Sequence, residues 1–187
     1  MGARLKLGGQ LLAVALVAGL FALLAWKIVQ QQRDTAAKDV RAGKTGPAPS
    51  FHLPRLDAGG KLALASLRGK AVVLNFWQSS CDPCKAEAPA LERIWQQYRR
   101  HGLVVVGVDV YDFATDARKF ARKYGVTYPL VHDVRGGTID SYGLTGYPET
   151  FFVDRSGKLV PVHLEGPVNE GANKRQFERA VRLALRA

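Results

Sequence analysis

Apolar positions are distributed unevenly along the chain. Between Leu7 and Val29 they are nearly continuous, and Leu11 to Trp26 carries no charge. About 23 residues would span roughly 34 Å as a helix, enough to cross a bilayer core. From Gln30 onward polar residues dominate as far as Gly46-Pro47-Ala48-Pro49, a composition that predicts a tether. Beyond it, short apolar runs alternate with mixed segments. Phe51-His52-Leu53 and Lys61 to Leu64, separated by Asp57-Ala58-Gly59-Gly60, predict a hairpin. Ala71 to Trp77 is almost uninterrupted, as expected of a strand covered on both faces. A helix is predicted from Cys81 to about Arg100, a second buried strand over Leu103 to Val110, and a helix over Ala114 to Tyr124 stopped by Gly125. Strand, helix, strand, strand and helix follow at 129–131, 135–142, 150–153, 159–164 and 173–185, with a turn at Asp154-Arg155-Ser156-Gly157 between the last two strands. This order implies an α/β domain with a mixed central sheet and helices on both sides.

The resulting organisation is a tail and transmembrane signal anchor over 1–29, a linker over 30–46 and one domain over 47–187. Arg4 and Lys6 precede the apolar stretch, while Trp26 and Lys27 suit its interfacial end. A cleaved signal peptide is the competing reading, but cleavage after Ala25 would need a small residue where Leu23 stands. An uncleaved anchor with a cytoplasmic tail and an exported, periplasmic-side domain is therefore expected. The net charge of +11 is dispersed among acids, with no basic run interleaved with aromatics, so no nucleic-acid partner is expected.

The chain has two cysteines, Cys81 and Cys84, placed where the apolar strand turns into a helix. A cysteine in the first helical turn faces unpaired backbone N–H groups and the positive end of the dipole, which favour a thiolate. The second lies about one turn along on the same face. A redox dithiol is the reading preferred here. A purely structural disulfide would close so short a loop that it removes only about 2 kcal/mol of unfolded-chain entropy. Zinc needs four ligands, and His52, His101, His132 and His163 are scattered, so no metal and no cofactor are expected. Pro83 fits the first turn, and the Asp82 carboxylate opposes a second negative charge at Cys81, which favours a reducing couple.

Phe76-Trp77, Cys81-Asp82-Pro83-Cys84-Lys85 and Gly146-Tyr147-Pro148-Glu149-Thr150-Phe151-Phe152-Val153-Asp154, in this order, resemble thioredoxin-fold proteins of the TlpA/ResA/CcmG (DsbE) type, which are membrane-anchored thiol-disulfide reductases. The resemblance spans residues 47–187. It implies a thioredoxin fold with an N-terminal hairpin and a central insertion, and a Cys81–Cys84 redox disulfide with Cys81 as nucleophile and Cys84 as resolving thiol. It further implies Glu87 as acid/base, because Asn75 stands where thioredoxins carry a titrating aspartate. Tyr147-Pro148 would be the cis-proline step, and Trp77, Tyr147, Pro148 and Glu149 would contact substrate. Implied partners are exported disulfide-containing proteins, apocytochrome c among them, and a membrane thiol-disulfide electron donor. Ser80 departs from the many relatives that carry Trp there, and leaves the nucleophile more open. Competing readings are a thiol peroxidase, which would want Pro and Thr where Leu74 and Gln78 stand, and a copper-delivery module on the same fold.

Overall fold

The computed structural model describes residues 16–24 and 35–187. Residues 16–24 are helical and expose Leu16, Val17, Leu20, Phe21, Leu23 and Leu24. Among the described residues no helix is long and apolar enough to cross a membrane. The basic tail, both ends of the expected anchor and the start of the linker lie outside the described residues.

Thr35–Ala187 forms a compact unit of its own. Its elements are α1 (Ala36–Arg41), β1 (His52–Pro54), β2 (Lys61–Ala63), β3 (Ala71–Trp77), α2 (Asp82–Tyr98), β4 (Leu103–Val110), α3 (Ala114–Tyr124), β5 (Leu130–Asp133), α4 (Gly137–Tyr142), β6 (Glu149–Val153), β7 (Leu159–Glu165) and α5 (Gly171–Arg186). The main sheet has the order β5-β4-β3-β6-β7. β3 pairs in parallel with β4 and antiparallel with β6, and β4 pairs in parallel with β5. Every residue of β3 and β4 is buried, because both faces of the sheet are covered.

Alternation along β3 sorts the core into two halves. Val73 and Trp77 face Ala88 and Leu91 of α2, Phe120 of α3, and Phe177 and Val181 of α5. Val72, Leu74 and Phe76 face Val40 of α1, Tyr142 of α4, and Phe151. The hairpin of β1 and β2 sits beside the free edge of β5, where Leu56 N–H donates to Leu130 O at 2.9 Å.

The linker expected over 30–46 differs in its described part. Thr35 caps α1 by accepting the Lys38 N–H at 3.3 Å, and Ala36, Ala37 and Val40 are buried against the sheet. Arg41 pairs with Glu165 of β7. Leu159 N–H then donates to Gly46 O at 2.8 Å, so the chain is fastened to the domain well before residue 47. Small residues at i, i+1 and i+4 make a narrow apolar stripe that overall polar composition conceals.

Candidate active site

β3 ends at Trp77, and a turn over Gln78–Ser80 delivers Cys81 to the N-cap of α2. Cys81 Sγ accepts the Cys84 N–H at 3.1 Å, so the sulfur occupies the place of a capping oxygen among the free donors of the helix. Cys81 and Cys84 are joined by a disulfide. Cys81 is half-buried and Cys84 is 2% exposed, so an incoming group reaches Cys81 first. Pro83 lies in the opening turn, where its missing N–H costs nothing. Asp82 is exposed and paired with Lys85 at 2.5 Å; the hydrogen bond and the charge of Lys85 hold its carboxyl below the usual carboxylate range. Lys85 was not singled out from sequence, and it offsets part of the negative charge that Asp82 presents to Cys81. Lys85→Gln should move the pH midpoint of Cys81 alkylation in the reduced protein upward, by a fraction of a unit because both groups are in water. A downward shift would contradict this.

Glu87 lies three residues after Cys84 in α2 and is 1% exposed. Asn75 of β3 donates to Glu87 Oε1 at 2.7 Å and to Thr150 Oγ1 at 3.1 Å, while Val168 N–H donates to Glu87 Oε2 at 2.9 Å. Burial pushes Glu87 up to about 7, against the pull of these two hydrogen bonds. Asn75 cannot titrate, but it orients a carboxyl that does. An acid poised near neutrality is the kind of group that accepts and returns a proton during exchange.

The peptide between Tyr147 and Pro148 is cis. β6 runs antiparallel to β3 with Glu149 opposite Phe76, so the proline enters the sheet at the end where β3 gives way to the Cys81 turn. Tyr147 is half-buried and Pro148 buried. Glu149 is not placed for the substrate contact expected of it. It shares a face with Phe76, opposite to that of Asn75 and Glu87, and is 1% exposed. Its Oε1 accepts Thr145 N–H at 2.6 Å, Gly146 N–H at 2.8 Å and the Thr145 hydroxyl at 3.0 Å, and Oε2 meets His163 Nε2 at 2.7 Å. Burial would raise this carboxyl, but the bonds from His163, Thr145 and Gly146 outweigh it and hold the group below the usual range. Glu149 thus holds the loop before the cis proline from behind.

A dithiol helix, a buried acid and a cis-proline strand at one end of such a sheet find their counterpart in a family model, that of the AhpC/TSA family, which matches residues 45–162. The chain belongs to the AhpC/TSA family. Within it, the chain is 34% identical over 126 residues to the thiol-disulfide oxidoreductase ResA of Halalkalibacterium halodurans, covering 67% of this chain and 70% of that one. It is 36% identical over 116 residues to ResA of Bacillus subtilis, covering 62% and 64%. A putative thiol:disulfide interchange protein DsbE from Chlorobium tepidum shares the fold with a TM-score of 0.68 and 31% identity, over 74% of this chain and 95% of that one. The chain is a thiol-disulfide oxidoreductase of the ResA/CcmG type with a thioredoxin-like fold.

Beneath the dithiol turn, this ResA-type domain carries a polar cluster that sequence reasoning missed. Trp77, expected at the substrate surface, is 2% exposed, its ring against Phe120 with centroids 4.3 Å apart. Trp77 pairs in register with Asp109 of β4, whose Oδ2 meets His132 Nδ1 at 2.7 Å. Burial, reinforced by the neighbouring Asp112 carboxylate, pushes Asp109 up to about 8. Burial would raise Asp112 also, but N–H groups of Ser79 and Phe113 outweigh it and hold it low. Ser79 N–H donates to Asp112 Oδ2 at 2.7 Å and Gln78 Nε2 to Val110 O at 2.9 Å, so the turn before Cys81 is fastened to the end of β4. The one signal in sequence is a lone Asp109 inside an apolar run. His132 and His163 are each paired with a buried carboxylate.

Proposed function

We propose that this oxidoreductase is anchored in the membrane by residues 7–29, with its domain on the exported side, and that it reduces disulfides in exported proteins, apocytochrome c among them. The observation that carries the reading is the buried Glu87 carboxyl, close to neutrality, one helical turn from Cys84. The Cys81 thiolate attacks a partner disulfide and forms a mixed disulfide, and the displaced partner sulfur leaves as a thiol after taking up a proton. Cys84 then passes its proton to Glu87 and attacks Cys81, releasing the second partner thiol and restoring the Cys81–Cys84 disulfide. The partner gains two electrons and the protein loses two, which a membrane thiol-disulfide donor must return.

A reducing direction follows from electrostatics. An ionised Glu87 behind Cys84 and Asp82 beside Cys81 both disfavour thiolate, and destabilising the reduced form makes the couple more reducing. The supports for anchoring are the apolar stretch in the sequence and the kinship with ResA. The test is the reduction potential of the Cys81–Cys84 couple, with an expected value near or below about −250 mV at pH 7. A value near that of the strong oxidant at about −120 mV would overturn the reductase assignment. Sustained peroxide consumption with thiol supplied would move it to a peroxidase, and a tight cysteine-dependent copper site to a copper-delivery module.

A further inference from the structure

Large exposed apolar side chains are few in the Thr35–Ala187 unit: Tyr111 at 59%, Phe113 at 75%, Val134 at 59% and Leu183 at 38%. All but Leu183 emerge from the C-terminal ends of the neighbouring parallel strands β4 and β5. Val110 pairs with Asp133, so Tyr111 and Val134 leave the sheet side by side, and Tyr111 N–H donates to Asp133 O at 3.3 Å. Phe113 follows one residue after Asp112, whose carboxylate holds Ser79 N–H of the Cys81 turn. The apolar residues therefore emerge at the end of the sheet to which the Cys81 turn is fastened.

Their display is built rather than incidental. Tyr111 adopts φ 51°, a left-handed conformation that bulky residues rarely occupy. Its ring lies over Gly136, where an added Cβ would come within 2.3 Å of it. Tyr147, which precedes the cis proline, lies in the neighbourhood of Tyr111. Charge is meanwhile withdrawn from the rim. Asp109 is turned onto His132, Asp112 onto Ser79 and Phe113 N–H, and Asp133 onto Gly137 N–H, Thr138 N–H and the Thr138 hydroxyl. On the β4 and β5 side of the Cys81 turn the large exposed side chains therefore include Tyr111, Phe113 and Val134, while the exposed Asp82 and its partner Lys85 lie on α2.

We propose that Tyr111, Phe113 and Val134 form a docking surface for large apolar side chains lying within a few residues of the disulfide in the partner polypeptide. The inference rests on the proposed reaction with protein disulfides, since a polypeptide whose sulfur meets Cys81 approaches the end of the sheet from which these residues emerge. Apolar side chains there remove water from both surfaces when covered, and large aromatic side chains buried in this way are where binding energy concentrates. The surface selects partners and takes no part in the sulfur chemistry.

The test uses the full-length reduced protein and two synthetic peptides with the same Cys-x-x-Cys disulfide ring, one flanked by Leu and Phe and the other by Ser and Asn, together with oxidised glutathione. The wild type should reduce the apolar peptide about tenfold faster in kcat/KM than the polar one. The Phe113→Ser/Val134→Ser variant, altered at exposed positions only, should lose that preference and keep its rates with the polar peptide and with glutathione. No preference in the wild type, or a preference unchanged in the variant, would overturn the docking surface. So would an equal fall in all three rates, which would mean that the residues merely support the turn. If the same substitutions abolish a dimer and leave peptide selectivity intact, the surface belongs to self-association and the proposal fails. Reduction of glutathione with neither peptide reduced would instead refute the protein-disulfide reading, and the docking surface with it.

Discussion

Cys84→Ser should halt turnover by about a thousandfold or more and leave the protein covalently joined to its partner, whereas Cys81→Ser should halt turnover and capture nothing. The asymmetry comes from burial. Cys81 sits at the mouth of α2, half-buried, with its sulfur among free helix N–H donors, while Cys84 is 2% exposed beneath it. Without Cys84 nothing nearby resolves the mixed disulfide at Cys81. Without Cys81 the remaining thiol cannot be reached. Non-reducing electrophoresis of each variant after incubation with a protein disulfide reads the difference directly, and equal capture by both would reverse the assigned roles.

Glu87→Gln should lower the exchange rate about 10- to 100-fold near neutral pH and remove the limb of the pH–rate profile close to pH 7. It should also change how stability depends on pH. Burial raises Glu87 from 4.5 to about 7, so between those values the folded protein holds a proton that the unfolded chain has released. Stability from this group is fully present below pH 4.5 and is lost as pH rises through 7, a change of about 3 kcal/mol. Asp109, raised from 3.8 to about 8, acts in the same direction over a wider window. The wild type should accordingly melt at higher temperature at pH 5 than at pH 8, and the variant should keep only the part of that slope due to Asp109. The glutamine amide can still accept from Asn75, but it turns an NH2 toward Val168 N–H, so one bond is lost at every pH. An unchanged slope in the variant would show that Glu87 does not hold the proton.

What the sequence made legible was local. The apolar run over Ala71 to Trp77, the Cys81 and Cys84 spacing and the Pro148 loop each carry their meaning within a few residues, and Glu87 followed from helical spacing once Asn75 was read as unable to titrate. The residues misplaced or missed depend on pairings between distant strands. Glu149 adjoins Pro148 in sequence, yet its antiparallel register with Phe76 turns it to the far face, where His163 waits 14 residues later in the chain. Asp109 and His132 meet because β4 and β5 pair, and Asp112 matters because Ser79 reaches across from β3. In α1, three small or branched residues bury a helix whose composition is otherwise that of a linker.

The two glutamates are equally buried but differ by face of the sheet and by ionisation. Glu149 stays ionised under the loop that shapes the cis-proline strand, whereas Glu87 titrates near neutrality on the other side of the sheet. Acidity that protonates Glu87 therefore leaves the Glu149 anchor of the cis-proline loop ionised. In the proposed reaction, a fall in pH would slow proton transfer at Glu87 without loosening the loop that Glu149 holds.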